Sequence, residues 1–164
     1  ILVGEMRDAE TISLAMTAAE TGHLVLGTMH TTGAVKSIDR ILDALPSDER
    51  EQAKSFLAQS LQAVVSQILV KTPDNKGRKA VLEIMVMTRA IAKLIANDQT
   101  HQIPSQVQTG RHVGMQLMDQ ALIEAVTSKL INPNDAYLYA EDKSKFERFV
   151  TDTAILPKIQ LQDV

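Results

Sequence analysis

The sequence has 164 residues, 45% of them hydrophobic and 23% charged, which is ordinary for a globular chain with a core of its own. The formal net charge of −3 gives no overall positive field that would recruit nucleic acid or an anionic membrane. No apolar stretch approaches the roughly 20 residues of a membrane span, and the absence of cysteine excludes disulfides and thiolate metal sites.

The chain opens with a short apolar run that ends in a glycine and an acid. Ile1–Val3 precede Gly4 and Glu5, and a run of this kind predicts a buried strand. Glu5 then lies where α/β sheets bind ligands, at the carboxyl end of a strand. A carboxylate there can hold Mg²⁺ indirectly or orient a water for attack on a phosphate, and a solvated acid is the alternative. Because the chain starts on a strand residue without a methionine, we expect a piece of a longer protein.

A helix and a second strand follow, and with the first strand they predict a βαβ unit. Asp8 is a candidate N-cap, apolar residues recur at helical spacing, and Gly22 can end the helix. The apolar run 23–29 predicts the second strand. A βαβ unit implies parallel pairing, so both strands deliver their carboxyl ends to one edge of the sheet. We therefore expect Glu5 and His30 to be neighbours.

Two histidines frame the second predicted strand. His23 and His30 are seven residues apart, about 23 Å along an intact strand, so they would not share a metal ion. His30 falls at the ligand edge, where it can reach a phosphate or Glu5, whereas His23 falls at the opposite end, where a structural or interface role is the better interpretation. Neighbouring hydroxyls can bond phosphate oxygens or satisfy the turn backbone, and they belong to Thr28, Thr31 and Thr32.

Three further charged or titratable side chains receive no site role. Arg7 is interpreted as a subunit-interface or surface residue in preference to a phosphate ligand. His101 and His112 fall in predicted connections, and we treat them as solvated.

The middle of the chain predicts two helices and an antiparallel hairpin. The helices cover residues 35–45 and a stretch that begins at 47–49 with a cap and first-turn acids. Strands over 64–72 and 78–86 flank a turn-rich pentapeptide, Pro73–Gly77.

Beyond residue 88 the pattern is helical. Helices are predicted from Thr88 to about residue 96, over 115–130 with Leu130 on the apolar side, and from Asn132 to about residue 140. The run 99–114 is mostly connection with room for a short helix, and 142–150 adds a turn or two. The overall prediction is an α/β fold in three parts: a core over 1–88, a C-terminal helical region over 89–150 and a loosely held tail over 151–164.

The loop that grips phosphates in many nucleotide-binding proteins is absent from the sequence. No segment matches G-x-x-x-x-G-K-[ST], whose backbone amides cradle the phosphates. A nucleotide site built from these residues alone would lack its main phosphate contact. An ATPase interpretation therefore requires residues before Ile1, and we expect the 164-residue chain by itself to be inactive.

Four linked blocks of sequence resemble the secretion ATPase superfamily of type II secretion and type IV pilus motors. The first resembles that family's Walker B segment, and those containing His23 and His30 resemble its histidine box. The blocks cover residues 1–11, 17–25, 27–32 and 38–40. The similarity is greatest to the pilus-retraction branch, the PilT-like ATPases, and it extends to about residue 130. Later matching stretches are 83–85, 90–91, 94–95, 108–110 and 114–116.

The resemblance implies a role for individual residues. Glu5 would be the Walker B acid near Mg²⁺ and the attacking water, and His30 and His23 would be the histidine-box pair. Thr28 and His30 would lie near Mg-ATP together with Glu5, and no direct metal ligand is implied.

The resemblance also implies an architecture and an activity. The chain would be the second half of a RecA-like P-loop ATPase core followed by C-terminal helices. The intact protein would be a homo-hexamer that uses ATP and Mg²⁺ to drive type IV pilus retraction and twitching motility. It would work in the cytoplasm against an inner-membrane pilus platform protein, without nucleic acid and without inserting in the membrane.

One motif departs from the family pattern and keeps alternatives open. The retraction motif resembles A-I-R-N-L-I-R-E, but Ala92 and Ala96 stand in place of its two arginines. A PilT-like paralogue therefore stays open. A type II secretion or pilus-assembly ATPase is a further alternative, although its four-cysteine zinc insertion is absent. From a different class, a non-catalytic α/β interaction module would also lack a phosphate loop.

Overall fold

The structure is a computed structural model, and it describes residues 1–157. Within them the α/β class is confirmed. The strands and α-helices follow in this order: β1 (Leu2–Val3), α1 (Ala9–Glu20), β2 (Leu26–Gly27), α2 (Ala34–Ala44), α3 (Arg50–Ser60), β3 (Ala63–Lys71), β4 (Arg78–Val86), α4 (Arg89–Ala96), α5 (Ile103–Thr109), α6 (Met118–Thr127) and α7 (Pro133–Tyr139). Short 3₁₀ turns cover residues 100–102, 110–113, 143–145, 147–149 and 153–155.

The predicted parallel pairing of the first two strands is confirmed, with shorter strands than expected. Leu2 pairs with Leu26 in β1 and β2, and the predicted strand over 23–29 reduces to two residues. Leu2 is 74% exposed and Leu26 58% exposed, so the prediction of a buried first strand is wrong. Partners in register share a face, and the described residues leave this face of the pair open to solvent.

Helix α1 begins and ends where the sequence predicts. The Asp8 carboxylate accepts a hydrogen bond from the Thr11 backbone N–H at 2.8 Å, as expected of an N-cap. Gly22 adopts φ = 89°, and its N–H bonds to the Ala19 carbonyl at 3.0 Å, which ends the helix.

The cap at Asp8 predicts a pH dependence of stability. The hydrogen bond from the Thr11 backbone lowers the pKa of Asp8 below its ordinary value of 3.8. Its contribution to the free energy of unfolding is therefore fully present above pH 3.8 and lost as the pH falls through the lower folded-state value. Asp8→Asn keeps an acceptor but cannot titrate. In urea unfolding, we expect wild type to be more stable than Asp8→Asn at about pH 6. The free energies of unfolding of the two proteins should converge at about pH 2.

Asp48→Asn, at an exposed acid in the turn before α3, is the matched control for Asp8→Asn. It should follow the wild-type pH profile. A constant stability difference between wild type and Asp8→Asn at all pH values would contradict the assigned cap.

The predicted hairpin is present as strands β3 and β4 joined by a tight turn. The Thr72 N–H bonds to the Gly77 carbonyl at 3.0 Å, and Asn75 takes a left-handed φ of 57° inside the turn. Along β4, alternate residues are buried, and these are Val81, Glu83 and Met85. This alternation is typical of a strand with one face against a core.

Two predictions around helix α6 are wrong. The helix begins at Met118, because Gln116 exchanges backbone hydrogen bonds with Ile84 at 2.9 and 3.0 Å and so extends the hairpin sheet instead. At the other end, Leu130 is 47% exposed and does not continue the apolar side. The helix stops at Thr127, and Lys129 adopts φ = 56°, which turns the chain out of the helical period.

The chain divides into two compact units. One consists of residues 1–67 and 82–117, and its core includes Ile12, Ile38, Met85, Ile91 and Ile95. The other consists, among the described residues, of 68–81 and 118–157, and its core includes Leu122 and Phe146. The predicted domain boundaries at 88 and 150 stay predictions. Of the predicted tail, residues 158–164 lie outside the described part of the chain.

Candidate functional site

The carboxyl ends of β1 and β2 bring an acid and a histidine together. Glu5 follows β1, His30 follows β2, and His30 Nε2 lies 2.8 Å from Glu5 Oε1. The proximity predicted from the βαβ topology is confirmed. The His30 side chain is 83% exposed and that of Glu5 26%, so the pair faces solvent on the histidine side.

Thr28 ties the two strand ends together on both sides of Glu5. Its carbonyl oxygen accepts from the Met6 N–H at 2.9 Å, and its hydroxyl donates to the Gly4 carbonyl oxygen. These two hydrogen bonds hold the residues on either side of Glu5 and so fix its backbone. The Thr28 hydroxyl proton is already used in this bond, and the nucleotide contact that the resemblance implies for Thr28 stays a prediction.

Arg7 contributes to this site, which the sequence did not indicate. Its Nε lies 2.5 Å from Glu5 Oε1, although the arginine side chain is 73% exposed. The Arg7 guanidinium, and secondarily the charge of His30, hold the pKa of Glu5 below its ordinary value of 4.5 against the opposing effect of desolvation. Glu5 is therefore a carboxylate at neutral pH. Its charged state suits an acceptor for a hydrogen bond from water.

The Glu5 oxygen between Arg7 and His30 is sealed from solvent. Oε1 has Arg7 Nε and His30 Nε2 as close neighbours but no hydrogen bond of good alignment. A buried carboxylate oxygen is usually hydrogen-bonded. With Arg7 and His30 against Oε1, a water can reach only the rest of the Glu5 side chain, which is 26% exposed.

The donors fit an indirect role toward Mg²⁺ and not a protein cage. Among residues 1–157, no group of three or more His, Asp and Glu side chains could hold a metal ion. Mg²⁺ commonly keeps several waters and takes one or two carboxylates plus substrate phosphates. Glu5 can serve such an ion through a water.

The turn after His30 is held by a chain of hydrogen bonds. The Thr31 hydroxyl lies 2.6 Å from the Ser37 hydroxyl, which donates to the Gly33 carbonyl at 2.8 Å. The carboxylate of Glu83, from β4, accepts from the Ala34 N–H at 2.7 Å. The sequence analysis predicted none of these contacts, and the one from Glu83 depends on the tertiary position of α2.

Gly33 predicts a measurable stability effect. It adopts φ = 120° and ψ = 152°, a region that is essentially restricted to glycine. Gly33→Ala should lower the free energy of unfolding by about 1–3 kcal/mol from backbone strain. Space is not limiting, since the added Cβ would lie 3.5 Å from Glu83 Oε1.

Urea unfolding of Gly33→Ala and of Gly4→Ala, measured side by side, distinguishes backbone strain at Gly33 from the general effect of replacing a glycine. An added Cβ at Gly4 meets nothing within 4 Å, and a change below about 0.5 kcal/mol is expected there. Equal stability of the two variants would refute the strain at Gly33.

His23 does not join Glu5 and His30. Its Nδ1 lies 3.1 Å from the Thr21 hydroxyl and 3.2 Å from the Ala18 carbonyl, at the C-terminal end of α1. The Thr21 hydroxyl itself donates to the Ala18 carbonyl at 2.9 Å, so both neighbours present oxygen lone pairs to Nδ1. Nδ1–H is the tautomer that satisfies them. The functional role that the resemblance implies for His23 stays a prediction.

Comparisons with known proteins give consistent matches. A family model described as "Type II/IV secretion system protein" matches residues 1–153. The chain is 54% identical over 142 residues to the twitching motility protein of Neisseria gonorrhoeae, covering 87% of this chain and 38% of that protein. It is 52% identical over 136 residues to the type IV pilus retraction ATPase PilT of Pseudomonas aeruginosa, covering 83% and 39% respectively.

A solved structure is similar over nearly the whole chain. It is the crystal structure of the pilus retraction motor PilT with bound ADP, with a TM-score of 0.79 and 38% identity, covering 90% of this chain and 41% of that one. The chain thus spans about two-fifths of the length of the relatives it matches.

Proposed function

From the premise that this chain belongs to the type II/IV secretion system protein family, we propose that the intact protein is an ATPase that drives type IV pilus retraction. Twitching motility would be the cellular result. The observation that carries the proposal is the Glu5–His30 pair, 2.8 Å apart at the carboxyl ends of two parallel strands. The retraction motor and twitching proteins among the similar chains support the choice of pilus task.

The residues of the pair have distinct roles in this proposal. Glu5, kept ionised by Arg7, accepts a hydrogen bond from the attacking water and fixes its direction. His30 is largely exposed, so it can meet the terminal phosphate while its Nε2 stays near Glu5. When bound, Mg²⁺ neutralises charge that develops on the phosphates. In this proposal, ATP hydrolysis is therefore catalysed by positioning and electrostatic stabilisation.

The phosphate grip of the proposed enzyme is supplied from outside the 164 residues. The chain has no G-x-x-x-x-G-K-[ST] segment, and it spans about two-fifths of its relatives. We place that loop before Ile1 in the intact protein. The expected division into an ATPase core over 1–88 and a helical region over 89–150 belongs to the same proposal.

The proposed assembly is a homo-hexamer at the cytoplasmic face of the inner membrane. It would act on an integral pilus platform protein, because pilus retraction requires contact with the pilus base. No helix among residues 1–157 is both long and apolar enough to cross a membrane.

A second candidate is a non-catalytic interaction module with the same fold. The absence of a phosphate loop from this sequence favours it. Sequencing the intact gene product distinguishes the two, because a G-x-x-x-x-G-K-[ST] segment upstream supports the motor and its absence supports the module.

The experiment that tests the motor is a twitching assay on a deletion strain, combined with ATP turnover by the purified full-length product. We expect loss of twitching with retained surface pili, and measurable hydrolysis. Normal twitching with lost protein secretion would instead favour a type II secretion ATPase. Normal twitching and normal secretion would favour a PilT-like paralogue, a possibility raised by Ala92 and Ala96 in the retraction motif.

A further inference from the structure

Glu83 is a buried acid on a different strand from the pair β1 and β2 that positions Glu5 and His30. It lies on the inward face of β4 and is 8% exposed. Burying a carboxylate is costly unless it is hydrogen-bonded. Its Oε1 accepts from the Ala34 backbone N–H at 2.7 Å, across 49 positions of sequence. A residue held this way connects β4 with the beginning of α2.

Helix α2 lacks the usual means of satisfying its first turn. Its N-cap is Gly33, which has no side chain to accept a backbone N–H, and the first turn contains no acid. A helix N-terminus is stabilised both by an oxygen acceptor and by a negative charge. Glu83 supplies both from β4.

The beginning of α2 in turn determines where His30 can lie. Only Thr31, Thr32 and Gly33 separate His30 from α2. The Thr31 hydroxyl reaches Ser37 in the first turn of the helix, and Ser37 is bonded back to Gly33. A shift of the first helical turn of α2 would therefore move residues 31–33 and, with them, His30.

We propose that Glu83 is a positioning residue that caps α2 and thereby holds His30 against Glu5. The consequence for catalysis rests on the proposed ATPase function. The structural part, protection of the turn by the Glu83 cap, can be measured without any hydrolysis.

Three variants of the full-length protein test the proposal. Glu83→Ala removes the acceptor, Glu83→Gln keeps a carbonyl oxygen at the same reach, and Lys79→Ala alters an exposed residue of the same strand as a control. Hydrogen–deuterium exchange by mass spectrometry follows peptides that cover residues 31–37. Steady-state kinetics with ATP gives kcat and KM separately.

The expected pattern is specific to positioning. Glu83→Ala should lose protection over residues 31–37 and lose about 10²-fold in kcat, since a misplaced catalytic group costs about that much. Its KM for ATP should stay within about 3-fold, because the main phosphate contacts lie elsewhere in the protein. Glu83→Gln should regain protection and most of kcat, and Lys79→Ala should match wild type.

Each contrary result has a distinct meaning. Unchanged exchange over residues 31–37 in folded Glu83→Ala overturns the proposal, and so does an unchanged kcat in an active enzyme. If wild type hydrolyses no ATP, the proposed function fails, and the exchange data alone then decide whether Glu83 holds the turn. If Glu83→Ala does not fold, Glu83→Asp is tested in its place. Its side chain is shorter by one methylene, which withdraws the carboxylate from the Ala34 N–H. Wild-type exchange in Glu83→Asp would likewise overturn the proposal.

Discussion

Replacing Glu5 by alanine or glutamine in the full-length protein is expected to reduce ATP turnover by about 10²–10⁴-fold while nucleotide still binds. Glu5→Gln preserves the shape of the side chain but removes the negative charge that faces Arg7 and His30. An amide oxygen is a poor proton acceptor, so the water loses its orienting base. Binding is expected to persist because the main phosphate grip lies elsewhere in the protein.

Nucleotide affinity and single-turnover hydrolysis measured on the same Glu5→Gln sample check this expectation. Glu20→Gln, at the exposed far end of α1, is the matched control and should behave as wild type. Wild-type turnover by Glu5→Gln would remove Glu5 from the mechanism. Loss of nucleotide binding together with turnover would assign Glu5 to binding instead of to the hydrolytic step.

The 164-residue chain on its own is expected to hydrolyse no ATP above background. It contains Glu5 and His30 but no G-x-x-x-x-G-K-[ST] segment. Without backbone amides to cradle the phosphates, the substrate is not held in line with the attacking water, and positioning is the larger part of phosphoryl-transfer catalysis.

A phosphate-release assay compares this chain with the full-length protein at equal subunit concentration. Circular dichroism of the short chain ensures that a folded sample is tested. Measurable turnover by the folded short chain would refute this prediction and show that these residues contain a working site. The phosphate loop placed before Ile1 would then be unnecessary.

The proximity of Glu5 and His30 could be predicted from sequence because it depends on local patterns and one topological rule. Short apolar runs, an N-cap at Asp8 and a glycine stop at Gly22 are local signals. Parallel pairing then places both strand ends at one edge. The α/β fold was predicted from such patterns and is confirmed, and the family, indicated by blocks of sequence that resemble it, is confirmed as well.

Contacts that depend on tertiary packing could not be predicted. Glu83 meets the N-terminus of α2 from 49 residues away, and nothing in its local sequence separates it from a solvated acid. Arg7 is interpreted from sequence as a subunit-interface or surface residue, and its side chain is 73% exposed, but its pairing with Glu5 depends on side-chain direction after a strand end. Leu2 appeared buried because apolar runs indicate strands without stating which faces are covered.

The most direct test of the central claim is a structure of the full-length protein with Mg²⁺ and a non-hydrolysable ATP analogue. We expect the terminal phosphate beside His30, with Glu5 reaching it through one water, and the β- and γ-phosphates cradled by a loop encoded before Ile1. A terminal phosphate bound away from Glu5 and His30 would contradict it.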